Sequence, residues 1–104
     1  MAIHYATQET FDQFIQEGFV VVDFFSSTCV PCKHLSQVLE DIEAELPFVN
    51  IVKVNTTENP ALARRFSIFA VPTLHFYLNG EKKEERVGLL ETEELQQVIG
   101  KYLY

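Results

Sequence analysis

An apolar run, Phe19-Val20-Val21-Val22-Asp23-Phe24-Phe25, leads within a few residues into Cys29-Val30-Pro31-Cys32, and a helix-like segment follows. No other segment narrows the possible folds as much. A run of Val and Phe interrupted only by Asp23 has the composition of a central strand covered on both faces. From Pro31 to Leu46 the apolar positions Leu35, Val38, Leu39, Ile42 and Leu46 fall at helical spacing, with Pro31 tolerated in the first turn and Pro47 closing the end. A buried strand therefore delivers the first thiol to a helix N-terminus, and the second thiol follows within one turn.

The rest of the chain extends this pattern. Phe11, Phe14 and Ile15 predict a short amphipathic helix within residues 7–17, ended by Gly18. Residues 48–54 read as a second strand. Asn59-Pro60 reads as an N-cap followed by proline at the first helical position, with a short helix to about Phe66 and Leu62 and Phe66 facing inward. Thr73 to Leu78 is a third strand, and Asn79-Gly80 signals a tight hairpin that pairs it antiparallel with Glu84 to Val87. Thr92 is expected to cap a last helix with Glu93 and Glu94 in its first turn, and Leu95, Val98, Ile99, Tyr102 and Leu103 as its buried stripe. The order β-α-β-α-β, then hairpin and helix, is an α/β arrangement with early strands parallel and the final pair antiparallel.

At 104 residues the chain is expected to form one domain spanning 1–104, with a Phe-rich core drawn from its nine phenylalanines. A formal charge of −7 disfavours nucleic acid and anionic membranes as partners. No stretch reaches the ~18 apolar residues of a membrane span. Met1 to Thr7 lacks a basic region and a long apolar stretch, so no secretory leader is expected and the cytoplasm is the expected compartment.

In that setting, two cysteines point to redox or metal chemistry rather than to a staple. A four-residue disulfide loop constrains an unfolded chain very little. A helix N-terminus favours thiolate over thiol, which suits disulfide exchange with another molecule. Structural zinc needs four ligands, and one Cys-x-x-Cys with scattered histidines offers no such set. His34 reads as a solvated helix residue, His75 as a strand-face residue and His4 as near the terminus; none is assigned a role. The mixed-sign run Glu81 to Arg86 reads as a solvated hairpin.

Three separated signatures now stand in register: Val22-Asp23-Phe24-Phe25 ahead of Cys-x-Pro-Cys-Lys; Lys53-Val54-Asn55 followed by Asn59-Pro60 and Ala63; and Val71-Pro72-Thr73 followed by Asn79-Gly80 and Val87-Gly88. Over nearly its whole length the chain resembles the thioredoxin family. The resemblance implies a thioredoxin fold, with a central mixed sheet of four to five strands flanked by about four helices. It also implies a thiol-disulfide oxidoreductase that reduces protein disulfides. Cys29 would attack and Cys32 would resolve, the two forming the redox-active disulfide. A free cysteine of pKa ~8.5 is about 3% thiolate at neutral pH, and a drop of ~1.5 units, the size known for thioredoxins themselves, brings that to about half.

By the same resemblance Asp23 lies beneath the pair and moves the proton of Cys32. A lone carboxylate in an apolar strand has a raised pKa, which suits that task. Lys53 would be its electrostatic partner. Val30, Pro31, Val71 and Pro72 would bind substrate, with Pro72 preceded by a cis bond and the backbone at Val71 pairing with an extended stretch of substrate. No cofactor is implied beyond the intramolecular disulfide. A thioredoxin reductase or equivalent donor would supply electrons, and the protein would be a monomer.

The chain departs from the family at Thr28 and Phe25, where tryptophan is usual, at Val30, where glycine is usual, and at Gln37, where proline is usual. The thiols, Asp23, Lys53 and Pro72 remain. Two other readings stay open: an oxidase or isomerase, and a binding module of the same fold with non-essential thiols.

Overall fold

The computed structural model describes residues 3–103. Its elements run β1 (Ile3–Tyr5), α1 (Phe11–Ile15), β2 (Phe19–Phe25), α2 (Val30–Glu45), β3 (Asn50–Asn55), α3 (Pro60–Arg65), β4 (Thr73–Leu78), β5 (Glu81–Val87) and α4 (Thr92–Leu103). The five strands form one mixed sheet in the order β1-β3-β2-β4-β5. β2 lies at its centre because its composition demands cover on both sides. Phe19 and Val21 join the core beneath α2 and α4 with Leu35, Leu39, Ile42, Leu95 and Ile99. Val20, Val22 and Phe24 join the opposite core with Phe11, Ile15 and Leu62. Strand alternation therefore aims Asp23 at the α2 side, with Phe19 and Val21.

Several boundaries differ from those expected. β1 is an added edge strand, parallel to β3 in the register Ile3 with Ile51 and Tyr5 with Lys53. Three residues of weak alternation give no strand signal of their own, and the pairing creates the element. α1 occupies only Phe11–Ile15. Residues before it form turns tied by Thr7 N–H to Thr10 Oγ1 at 2.9 Å and by Phe11 N–H to Thr7 O at 3.0 Å. β3 begins at Asn50, leaving Phe48 exposed in the preceding turn. β4 runs antiparallel to β2, so parallel pairing is confined to β1, β3 and β2.

Two expected caps are also corrected. Asn59 stands at the N-cap position of α3, but its side chain accepts Gln8 N–H at 3.2 Å and donates to Asn55 O at 3.1 Å instead of capping. Thr92 is the first residue of α4 rather than its cap. Glu91 precedes it, its N–H donating to the Glu94 carboxylate at 3.2 Å, the returning arm of a capping box.

The hairpin behaves as Asn79-Gly80 requires. Both residues have positive φ, 51° and 87°, the pair that a type I′ turn needs. Asn79 also exchanges bonds with Gly18, accepting its N–H through Oδ1 at 3.0 Å and donating its own N–H to Gly18 O at 2.9 Å. That contact holds the hairpin against the start of β2. β5 is longer than expected, Glu81–Val87, with an irregularity opposite Phe76/Tyr77. No helix among the described residues is long and apolar enough to cross a membrane.

Candidate active site

The central strand ends at Phe25, and a short exposed turn carries the chain into α2. Cys29 is the N-cap residue of that helix, in extended backbone conformation, and its Sγ accepts the Cys32 N–H at 3.1 Å. A sulfur thus takes the place of the usual capping oxygen and meets one of the N–H groups that a helix leaves unpaired at its first turn. Pro31 fits the first turn without losing a hydrogen bond. The helix begins at Val30, one residue ahead of Pro31, and Lys33 lies in its first turn. Cys29 and Cys32 are joined by a disulfide, with their Cα atoms 5.2 Å apart. Cys29 is half-buried, while Cys32 is only 4% exposed.

A second loop closes on the pair. The Val71–Pro72 bond is cis, and the carbonyl oxygen of Val71 lies 3.7 Å from Cys29 Sγ. Thr73 Oγ1 donates to Ala70 O at 2.7 Å, and Gly88 N–H to Pro72 O at 2.8 Å, which fixes the loop at its entry into β4. Pro72 is buried and Val71 partly so, whereas Val30 and Pro31 are exposed at the head of the helix.

Asp23 and Lys53 are partners in the β2–β3 ladder and share the face under α2. Asp23 is fully buried, and among the described residues neither carboxylate oxygen has a hydrogen-bond partner. Burial disfavours its charged form and raises its pKa to about 7, against the opposing pull of the Lys53 charge. Lys53 makes no ion pair with it. The lysine amino group donates to Ser36 Oγ at 2.5 Å and lies 5.1 Å from the centre of the Phe25 ring and 5.6 Å from that of Tyr5. The expected electrostatic partnership therefore acts through space, with the lysine anchored elsewhere. Beside Cys32 a cleft of about 250 Å³ opens between Tyr5, Phe25, Lys33, Ser36 and Lys53.

Tyr5 and Ser36 were not foreseen as neighbours of the site. Tyr5 arrives with the unforeseen β1, and Ser36 reads in sequence as one polar residue among others on a helix. The histidines lie outside the pair. His34 is exposed and meets Glu91 at 3.2 Å. His4 stacks on Phe14 with ring centres 5.0 Å apart. His75 is fully buried in β4, more enclosed than a strand-face position implies. Among the described residues, no three His, Cys, Asp or Glu side chains gather into a group able to hold a metal ion.

This arrangement, with a sulfur at a helix head, its partner buried one turn on and an unpaired carboxyl beneath the same helix, equips the chain for two-electron thiol chemistry. The family model described as Thioredoxin matches residues 2–101. The thioredoxin of Chlamydia trachomatis serovar D is 39% identical over 100 residues, 96% of this chain and 98% of that protein. The thioredoxin of Staphylococcus saprophyticus is 38% identical over 104 residues, 99% of this chain and 100% of that protein. Among solved structures, a mutant thioredoxin from Halobacterium salinarum superposes with a TM-score of 0.90 at 33% identity, covering 98% of this chain and 91% of that one. The chain belongs to the thioredoxin family, and it is a protein-disulfide reductase acting by dithiol–disulfide exchange.

Proposed function

We propose that Cys29 attacks the substrate disulfide and that Cys32 resolves the resulting mixed disulfide. The observation behind this order is the difference between the two sulfurs. Cys29 Sγ sits at the head of a 16-residue helix and accepts a backbone N–H there, whereas Cys32 is enclosed. Negative charge is stabilised at the first position, and access is limited at the second.

In the reduced protein, the Cys29 thiolate forms a bond to one substrate sulfur, and the other substrate sulfur leaves as a thiolate and takes a proton. Cys32 then loses its proton and attacks Cys29 Sγ. The mixed bond breaks, and the second substrate sulfur leaves reduced. Two electrons pass to the substrate, and this chain is left as the disulfide. In this reading Asp23 takes the Cys32 proton; its burial on the α2 side of the sheet and a pKa raised to about 7, where a carboxyl exchanges protons readily near neutrality, support that role. Lys53 tunes that carboxyl by its charge. Val30, Pro31, Val71 and Pro72 surround the approach to Cys29 and bind substrate. The pair itself stores the electrons, so the proposal includes no bound cofactor. A separate thioredoxin reductase or an equivalent dithiol donor restores the reduced state. The protein acts as a monomer in the cytoplasm.

Insulin reduction driven by dithiothreitol tests the reading. Wild type accelerates precipitation of the insulin B chain, Cys29→Ser abolishes that acceleration, and Cys32→Ser accumulates a mixed disulfide through Cys29. If Cys29→Ser keeps its full effect on a partner, the chain is a binding module and its thiols are incidental.

A further inference from the structure

We propose that Phe69 selects which disulfides this chain reduces, favouring those with a large apolar side chain two residues from the attacked cysteine. The proposal rests on the reading of Cys29 as the attacking thiol. Phe69 is 94% exposed, against 57% for Phe48 and 74% for Val30. Its loop neighbours Phe66 and Ile68 pack onto the core beneath α1 and α3, and Phe69 does not. It lies two residues ahead of Val71, whose carbonyl oxygen is 3.7 Å from Cys29 Sγ. Two residues span at most ~7 Å of chain, so the Phe69 backbone stands close to the carbonyl that meets that sulfur. Val30 follows Cys29 directly and is also an uncovered apolar side chain. The two segments that meet at Cys29 Sγ, the head of α2 and the loop before β4, thus each carry a bare apolar side chain.

A single exposed aromatic ring needs no explanation. The backbone around this one adds a second observation. Within the described residues neither the N–H nor the C=O of Phe69 or Val71 has a hydrogen-bond partner, apart from the sulfur contact at Val71. The carbonyl of Ala70, between them, is used by Thr73 Oγ1. Unpaired groups on alternate residues beside a reactive atom offer a docking edge to an extended peptide. Side chains on such a peptide face the same side every second residue. With the substrate cysteine beside Val71 and Cys29, the residue two positions away meets the Phe69 ring. An apolar side chain there removes the ring from water, and a small polar one leaves it wet.

The test compares two otherwise identical cystine peptides carrying leucine or serine at the positions two residues from one cysteine, with dithiothreitol as electron source. Wild type is expected to reduce the leucine peptide with kcat/KM about fivefold above the serine peptide, the size of removing roughly 40 Å² of apolar surface from water. Phe69→Ser brings that ratio close to one, and Phe69→Leu restores most of it. Equal reduction of both peptides by wild type, or a preference that survives in Phe69→Ser, overturns the proposal and leaves the role of Cys29 intact. Failure of wild type to reduce either peptide removes the reading of Cys29 and the proposal together. A wild-type dimer in sedimentation velocity that Phe69→Ser abolishes, without peptide preference, assigns the ring to self-association and also overturns it.

Discussion

Asp23 and Lys53 face each other across the β2–β3 ladder, yet the lysine amino group bonds Ser36 Oγ at 2.5 Å and leaves the carboxylate without a hydrogen bond. A buried charge is tolerable when paired and costly when not. The lysine satisfies itself against a hydroxyl and two aromatic rings at the wall of a cleft. The carboxylate has only distance-weakened attraction to set against full burial. Its protonation state therefore responds to pH near neutrality, in the range where disulfide exchange needs a proton acceptor.

Stability should show this directly. The folded-state pKa of Asp23, about 7, lies above its ordinary value of 3.8, so the folded state holds the proton more tightly than the unfolded one. The contribution is fully present below about 3.8 and is lost as pH rises through about 7. About three units at ~1.36 kcal/mol each give a ceiling of roughly 4 kcal/mol. Asp23→Asn should match wild type near pH 4 and exceed it by about 2–4 kcal/mol at pH 8 in urea unfolding. Parallel stability curves for the two proteins would sink this account of the carboxyl.

Removing the lysine charge should move the same titration the other way from a salt-bridge rescue. Lys53 draws the Asp23 pKa down, so Lys53→Gln should raise it further. The Asp23 carboxyl resonance, followed by carbon NMR across pH, should shift its midpoint upward in the variant. Ser36→Ala frees the amino group from its anchor and lets it approach the carboxylate, and should lower the midpoint. No change in either variant means that the two side chains are electrostatically independent.

Much of this site was legible in the sequence because strong local signals coincide there. β2 is a long apolar run, α2 has four apolar residues in register, Leu35, Val38, Leu39 and Ile42, and the cysteines stand where one gives way to the other. The rest depended on partners distant in the chain. Ile3-His4-Tyr5 becomes a strand only because β3 offers a free edge, and with it Tyr5 reaches Lys53. β5 is almost wholly charged, and only the Asn79-Gly80 turn betrays it. Phe69 reads as one more core phenylalanine, since nothing in Ser67-Ile68-Phe69-Ala70 marks which apolar residue is left outside. The anchoring of Lys53 on Ser36 depends on how a helix settles over a sheet, which periodicity does not determine.

The phenylalanines should separate sharply in energetic weight. Phe11 is fully buried, with ring centres 5.0 Å from Phe66, 6.2 Å from Tyr77 and 6.4 Å from Phe24. Phe11→Ala should cost about 3–5 kcal/mol in urea unfolding, through lost burial and the cavity left behind. Phe48, at 57% exposure, should cost less than about 0.5 kcal/mol on the same change. Similar losses at the two positions would mean that the core beneath α1 and α3 collapses around the missing ring.

His75 should oppose Asp23 in the pH dependence of folding. It is fully buried among Phe24, Phe66 and Tyr77, and Glu85 Oε1 lies 2.9 Å from its Nε2 without the alignment of a hydrogen bond. Burial, aided by the Lys82 charge, lowers its pKa from 6.5 more than Glu85 raises it. The unfolded chain therefore binds the proton more tightly, and stability is lost as pH falls below 6.5. Over the same interval Asp23 gains stability by taking up its own proton, so the wild-type curve alone hides both effects. His75→Leu removes one of them. Its stability relative to wild type should improve as pH falls from 7 to 5. In the double variant Asp23→Asn/His75→Leu, stability should be nearly flat across that range. A single variant whose advantage does not change with pH would show that the histidine titrates in the fold as it does in water.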